Sequence, residues 1–204
     1  MAAATLAAPF TEAIVPYSTV DFPFADAALA LVKEAFKDVP DGPLERLHEH
    51  VGRNQVAVRR RLETKALKKL RGFAAFEDLY LRFVREVLRP HLGEDVVACE
   101  REPYLRVHLS GGKASVAPHA DRDHFHSQYE VNFWVPLVDV SGAQSLWSES
   151  SPGRGDYRPF VAKYGEAMRF YGNQCLHFNV DNETPRTRVS FDFRVIRGRD
   201  LEAA

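Results

Sequence analysis

The chain has 204 residues, 45% of them hydrophobic and 27% charged, with a formal net charge of −1. A sequence of this length and composition can bury a globular core, and its balanced charge makes no global electrostatic case for nucleic acid or an anionic membrane. Cys99 and Cys175 are too few for a disulfide framework, no apolar run approaches the ~18–20 residues of a membrane span, and the start MAAATLAAPFTEAIVP lacks a basic region and is broken by prolines, so a soluble, cytoplasmic protein is expected.

Residues 1–95 read as mainly helical. DAALALVKEAFKDV carries apolar residues at helical spacing and meets the stop PDGP. A second helical stretch runs from about Pro43 to Leu70. Its basic run 58–71, VRRRLETKALKKLR, is read as a solvated helix face rather than a nucleic-acid patch. A third, FEDLYLRFVREVLRPHL, places Phe76, Leu79, Leu81, Phe83, Val84 and Leu88 along an amphipathic helix that meets Pro90.

From about residue 97 the pattern changes to short strands: PYLRVHLS, QYEVNFWVPLV, QSLWSES, EAMRFYG and TRVSFDFRVI, separated by turns. Three of them alternate strictly. Tyr104, Arg106 and His108, then Glu130, Asn132 and Trp134, then Arg188, Ser190, Asp192 and Arg194 each share a face opposite apolar neighbours. The apolar faces need cover, which the helices can supply, and the polar faces point to water or into a shared cavity. The expected fold is α+β, mainly β: a double-stranded β-helix (jelly roll, cupin-like) with an N-terminal helical layer. Residues 1–204 are expected to form a single domain, with 96–198 as the jelly-roll core.

The stretch PHADRDHFH, residues 118–126, holds three histidines and two aspartates. On an extended strand His119 and Asp121 share a face and can reach one ion. A second histidine would complete two imidazoles and one carboxylate, the facial set of non-haem Fe(II) oxygenases; His177 in QCLHFNVDN is the candidate. His124 and His126 compete with His119, or could serve another metal such as zinc, or could line a substrate pocket or support a ligand. Arg188 and Ser190 follow His177 on one face of an otherwise apolar strand, where they are costly to bury without a partner; a dicarboxylate such as 2-oxoglutarate would be that partner.

HxD, a distal His, then RxS resembles the Fe(II)/2-oxoglutarate dioxygenase superfamily. The longer strings HADRDHFHSQYEVNFWVPL, SLWSESSPGRGDYRPF and CLHFNVDNETPRTRVSFDFRVI resemble its StrG-like group, over about residues 100–197. The resemblance implies His119, Asp121 and His177 as iron ligands, Arg188 assisted by Ser190 on the far carboxylate of 2-oxoglutarate, and O2 as the second co-substrate. It implies oxidation of a small molecule, with hydroxylation favoured over halogenation because Asp121 is a carboxylate where halogenases carry a small residue. Natural-product metabolism in bacteria is the expected setting.

Asn132 could hydrogen-bond 2-oxoglutarate or a ligand, or be structural. Arg106 and His108 line the cavity if the jelly-roll reading holds. Trp147 is packing or a substrate surface. Cys175 is read as core filler, and His48, His50 and His91 as surface residues. If Glu130, Glu149 and Asp192 face the cavity, they favour an amine or guanidine; with the sugar-related setting that the resemblance implies, the expected partner is a small molecule, cationic or sugar-like or amino-acid-like. The competing class is a non-oxidative cupin-like isomerase or binding module, which would not need Arg188 and Ser190.

Overall fold

One ten-residue strand, β9 (Arg188–Arg197), organises the molecule. Its apolar residues Val189, Phe191, Phe193 and Val195 are buried on one face, and its polar residues occupy the other. The computed structural model describes residues 10–65, 74–94 and 97–204.

The helices, in chain order, are α1 (Phe24–Ala35), α2 (His48–Val51), α3 (Gln55–Lys65), α4 (Ala74–Phe83) and α5 (Arg89–Leu92). The remaining strands are β1 (Ala13–Pro16), β2 (Val97–Cys99), β3 (Tyr104–His108), β4 (Glu130–Pro136), β5 (Trp147–Ser148), β6 (Arg158–Pro159), β7 (Glu166–Phe170) and β8 (His177–Phe178). The larger sheet has the order β1-β7-β4-β9-β2, with β3 also paired to β9; the smaller is β6-β5-β8. An isolated bridge between His119 and His177 adds residue 119 beside β8. This is the expected mainly β jelly roll with a helical layer.

Register follows from the alternation. Val131, Phe133 and Val135 of β4 stand opposite Val195, Phe193 and Phe191, so one face of the pair is apolar. The helices cover it: Phe191 lies 4.8 Å from Phe24 and 5.5 Å from Phe76, and Phe193 lies 4.9 Å from Tyr80, measured between ring centroids. The other face carries Asn132 opposite Arg194 and Trp134 opposite Asp192 on β4–β9, and His108 opposite Arg188 on β3–β9. Much of it is buried too, because the smaller sheet and the 116–127 segment close over it.

Several expectations shift. The first helix ends at Ala35, before the PDGP stop, with Phe36 already extended. Strands β1, β2, β6 and β8 were not anticipated; the last two span two residues each, too short for periodicity to register. The third helix does not stop at Pro90. A π-helical turn, Val84–Leu88, lets the Arg89 N–H reach the Val84 carbonyl, and the helix continues to Gly93, which caps it at φ 66°. Proline cannot donate to the carbonyl four residues back and its ring crowds it, so widening the turn accommodates Pro90. Leu81 is exposed, not on the apolar face. In the basic run, Val58 and Leu62 enter the core while Arg60 and Arg61 face solvent; residues 66–71 of that run lie outside the described residues. Among the described residues no helix is long and apolar enough to cross a membrane.

Phe191→Ala should lower stability by about 3–5 kcal/mol in urea unfolding, because the cavity opens between helix and sheet. Val20→Ala, at an 87% exposed position, should stay within about 0.5 kcal/mol.

Candidate metal centre

His119 and His177 exchange both backbone hydrogen bonds, His177 N–H to His119 O at 2.9 Å and His119 N–H to His177 O at 3.3 Å. The pairing puts their rings side by side, with centroids 4.4 Å apart. Ala120 is extended, so Asp121 returns to the face of His119, where it opens a 3-10 turn, Asp121–His124. The Asp121 N–H is held by Gly172 O at 2.9 Å.

Asp121 Oδ1 lies 3.7 Å from His119 Nε2 and 3.5 Å from His177 Nε2. One donor atom from each residue falls within 4.8 Å of the others, so the three could hold one metal ion. Each imidazole is oriented by a carbonyl two residues upstream. Nδ1–H of His119 donates to Ala117 O at 2.8 Å and Nδ1–H of His177 to Cys175 O at 3.1 Å. With the proton on Nδ1, both Nε2 lone pairs point at the carboxylate. Burial lowers the His177 pKa, favouring the neutral form that ligation requires.

The second oxygen of Asp121 is gripped. Oδ2 accepts from Asn132 Nδ2 at 2.6 Å and from Arg194 Nε at 2.8 Å, and Arg194 Nη1 donates in turn to Glu100 at 3.0 Å. Burial pushes the Asp121 carboxyl up, but the Arg194 hydrogen bond and charge, with His177 and Asn132, overcome it and hold the group far below the usual carboxylate range. Gly172 makes room for this grip, since a β-carbon there would meet Asn132 Nδ2 at 2.7 Å.

A cleft runs from this cluster between the sheets, lined among others by His119, His177, Asn132, Trp134, Arg188 and Arg194. Arg188 is 3% exposed, and its Nε and Nη1 have no hydrogen-bond partner. Burial, then neighbouring Arg106, lower its pKa to about 10. Its guanidinium sits 5.7 Å from the centre of the Trp134 ring, and Trp134 Nε1 donates to Ser190 Oγ at 3.1 Å. A buried cation with unmade hydrogen bonds is expensive, and an anion entering the cleft would satisfy it.

The other sequence-derived candidates divide. Arg106 lines the cleft but is bridged to Asp192 at 2.8 Å. His108 is fully buried, against Gly112 O at 3.3 Å, and lies outside the cleft lining. His124 is exposed, its ring 5.3 Å from that of His119. His126 pairs with Glu130 at 2.8 Å, and Trp147 stacks on Phe178 at 6.3 Å; none of these three lines the cleft. Glu149 is 1% exposed and accepts the Leu176 and Gly155 N–H groups, a clamp on the loop before His177. Of the three acids considered for a cationic substrate, Asp192 alone lines the cleft, and Arg106 neutralises it. Cys175 is buried, with its thiol pushed up to about 12, an inert packing residue. His48 and His91, expected at the surface, are half-buried against Thr187 and Arg169.

Sequence reasoning gave no role to Arg194, Glu100, Gly172 or Asn179, the last buried and lining the cleft. Arg194 shares the polar face of Arg188, but its partner Asp121 lies 73 residues away. Only folding pairs them.

No family model matches the sequence. The streptomycin biosynthesis protein StrG of Streptomyces griseus is 40% identical over 114 residues, 55% of this chain and 54% of that protein. Over that stretch the chain is similar to StrG. The match spans about half the length of the relative, and it bears out the resemblance read from the motifs. Solved structures share the fold. A non-haem monooxygenase, the ThoJ–Ni complex, superposes with TM-score 0.54 at 15% identity over 93% of this chain and 75% of its own. EctD from S. alaskensis with bound Fe gives 0.53 at 14%, over 91% and 72%. HygX from Streptomyces hygroscopicus with nickel and 2-oxoglutarate bound gives 0.52 at 12%, over 95% and 88%.

Burial lowers the His108 pKa from 6.5 to about 4, so the folded state holds it neutral. As pH falls through 6.5 the unfolded chain takes up the proton first. The stability His108 loses should therefore build from pH 6.5 to 4 and reach about 3 kcal/mol. Urea unfolding at pH 7, 5 and 4 should show that slope, and His108→Leu should flatten it by about one proton.

Proposed function

We propose that the chain is an Fe(II)- and 2-oxoglutarate-dependent oxygenase in which His119, Asp121 and His177 hold the iron and Arg188, assisted by Ser190, takes the far carboxylate of 2-oxoglutarate. The observation that carries this reading is the buried, unpartnered Arg188 guanidinium in the same cleft as the His–Asp–His cluster. The donor set fits: two imidazole nitrogens and one carboxylate oxygen leave adjacent positions for a chelating co-substrate. The likeness to StrG and to HygX, crystallised with nickel and 2-oxoglutarate, supports it.

Iron with 2-oxoglutarate and O2 supplies an oxidant able to attack a substrate C–H bond. The protein's part is positional. Arg194 and Asn132 keep Asp121 ionised and aim Oδ1 at the imidazoles; the Ala117 and Cys175 carbonyls set both tautomers. Arg188 fixes the diacid by a planar fork while Trp134 packs under it and orders Ser190 Oγ. The apolar walls around Phe170 and Leu146 limit water. We assign the reaction as hydroxylation of a small sugar-like or amino-acid-like molecule in natural-product metabolism, carried out by a single domain of residues 1–204. The cationic substrate expected from Glu130, Glu149 and Asp192 loses its basis with their placement.

Anaerobic addition of Fe(II) and 2-oxoglutarate should give a weak visible charge-transfer band. It should vanish in His177→Ala, and in Arg188→Ala it should need at least about tenfold more 2-oxoglutarate with metal affinity retained. No band, or one indifferent to His177, returns the protein to the non-oxidative cupin-like class. Arg194→Met should weaken metal binding about 10–100-fold in competition with a chelating dye, because Asp121 loses its partner.

A further inference from the structure

Helix α3 and the turn after β3 flank a second, open pocket of about 420 Å³, lined by Arg53, Gln55, Arg59, Gly112, Lys113 and Ser115 among others. Three cations, Arg53, Arg59 and Lys113, are among its described lining residues; Arg59 already has a partner, and the one carboxylate bonded to the lining, Asp181, accepts from Lys113 Nζ and the Ala114 N–H at 2.8 Å each. Lys113 pairs with Asp181 at 2.8 Å, but its side chain is 87% exposed, and such surface pairs hold weakly.

Gln55 is the informative residue. It begins α3, is only 9% exposed, and neither its Oε1 nor its Nε2 has a hydrogen-bond partner. Its carboxamide lies across Gly112, where a β-carbon would collide with Oε1. Unpaired buried amides are costly and rare, so one lining a cationic cavity is explained by a ligand that completes it. The start of α3, where Asn54 Oδ1 accepts the Ala57 N–H at 3.0 Å, adds the positive end of a helix dipole. Ser115 lines this pocket and its neighbour in the chain, Val116, lines the metal cleft, so one short segment borders both.

We infer that this cavity binds a phosphate group, and that the substrate is a phosphorylated small molecule whose phosphate docks here while its carbon skeleton reaches the metal cleft. Three cations and a helix start match a dianion with several acceptor oxygens better than a single carboxylate, for which one arginine and a hydroxyl, Arg188 and Ser190, suffice in the metal cleft. The basic run thereby acquires a role through Arg59. Phosphate binding stands on this cavity alone; the substrate assignment rests on the oxygenase reading.

The test is calorimetric titration of the full chain with inorganic phosphate and with pyrophosphate, at constant ionic strength set by sodium chloride. Saturable binding is expected, weakened at least about fivefold by Arg53→Gln, Arg59→Gln or Gln55→Leu, with folding checked by circular dichroism. Arg53 is exposed, so its variant keeps the test open if another fails to fold. No saturable binding, or binding that survives these changes and disappears in Arg188→Ala, overturns the inference. A protein that shows the charge-transfer band yet binds no phosphate sinks this inference alone; one that binds phosphate without the band sinks only the oxygenase reading. In a screen by succinate release, active compounds should lose activity after phosphatase treatment. A non-phosphorylated substrate whose turnover is indifferent to added phosphate would overturn the substrate assignment.

Discussion

A carboxylate with 1% exposure, Asp121, is the charge that the rest of the site is arranged to hold. Taking it out of water is unfavourable by several kcal/mol on its own. Arg194 and Asn132, opposite each other on β9 and β4, answer that cost with two short hydrogen bonds to one oxygen. The other oxygen is left facing two imidazoles. Remove the grip and the buried group would favour protonation, which would cost the cluster its one anionic donor. The chain Glu100–Arg194–Asp121 therefore links the sheet's interior charge to the metal centre.

Strand β9 serves both sides of the molecule at once. Phe191 and Phe193 anchor the helices, while Arg188, Ser190, Asp192 and Arg194 face the cleft region. Because side chains alternate, a one-residue slip in register would exchange the two sets. The aromatic contacts with Phe24, Phe76 and Tyr80 thus fix register, and register in turn places Arg188 and Arg194. Core packing and site geometry are one constraint seen from two faces. The helical layer matters to the chemistry although its apolar contacts lie on the far side of the sheet.

Alternating strands of five residues or more were legible because period two leaves an unmistakable trace, as in RVSFDFRVI. The two-residue strands β6 and β8 carry no period, and the helix read as meeting Pro90 runs on through it only because of the π turn. His119, Asp121, His177 and Arg188 were visible as residue types in an order. Arg194 was visible only as one more polar position on the strand.

What the sequence determined by itself was which residues alternate, which types stand at 119, 121 and 177, and that an arginine and a serine follow on one strand face. These are local properties, carried by spacing along the chain. The tertiary structure decided partnership: that Arg194 closes on Asp121, that Arg106 neutralises Asp192, that Glu149 clamps backbone instead of facing the cleft, and that His108 is buried outside the cleft lining. Those outcomes depend on which surfaces meet across dozens of residues, and charge pairing between distant strands leaves no period in the sequence to read.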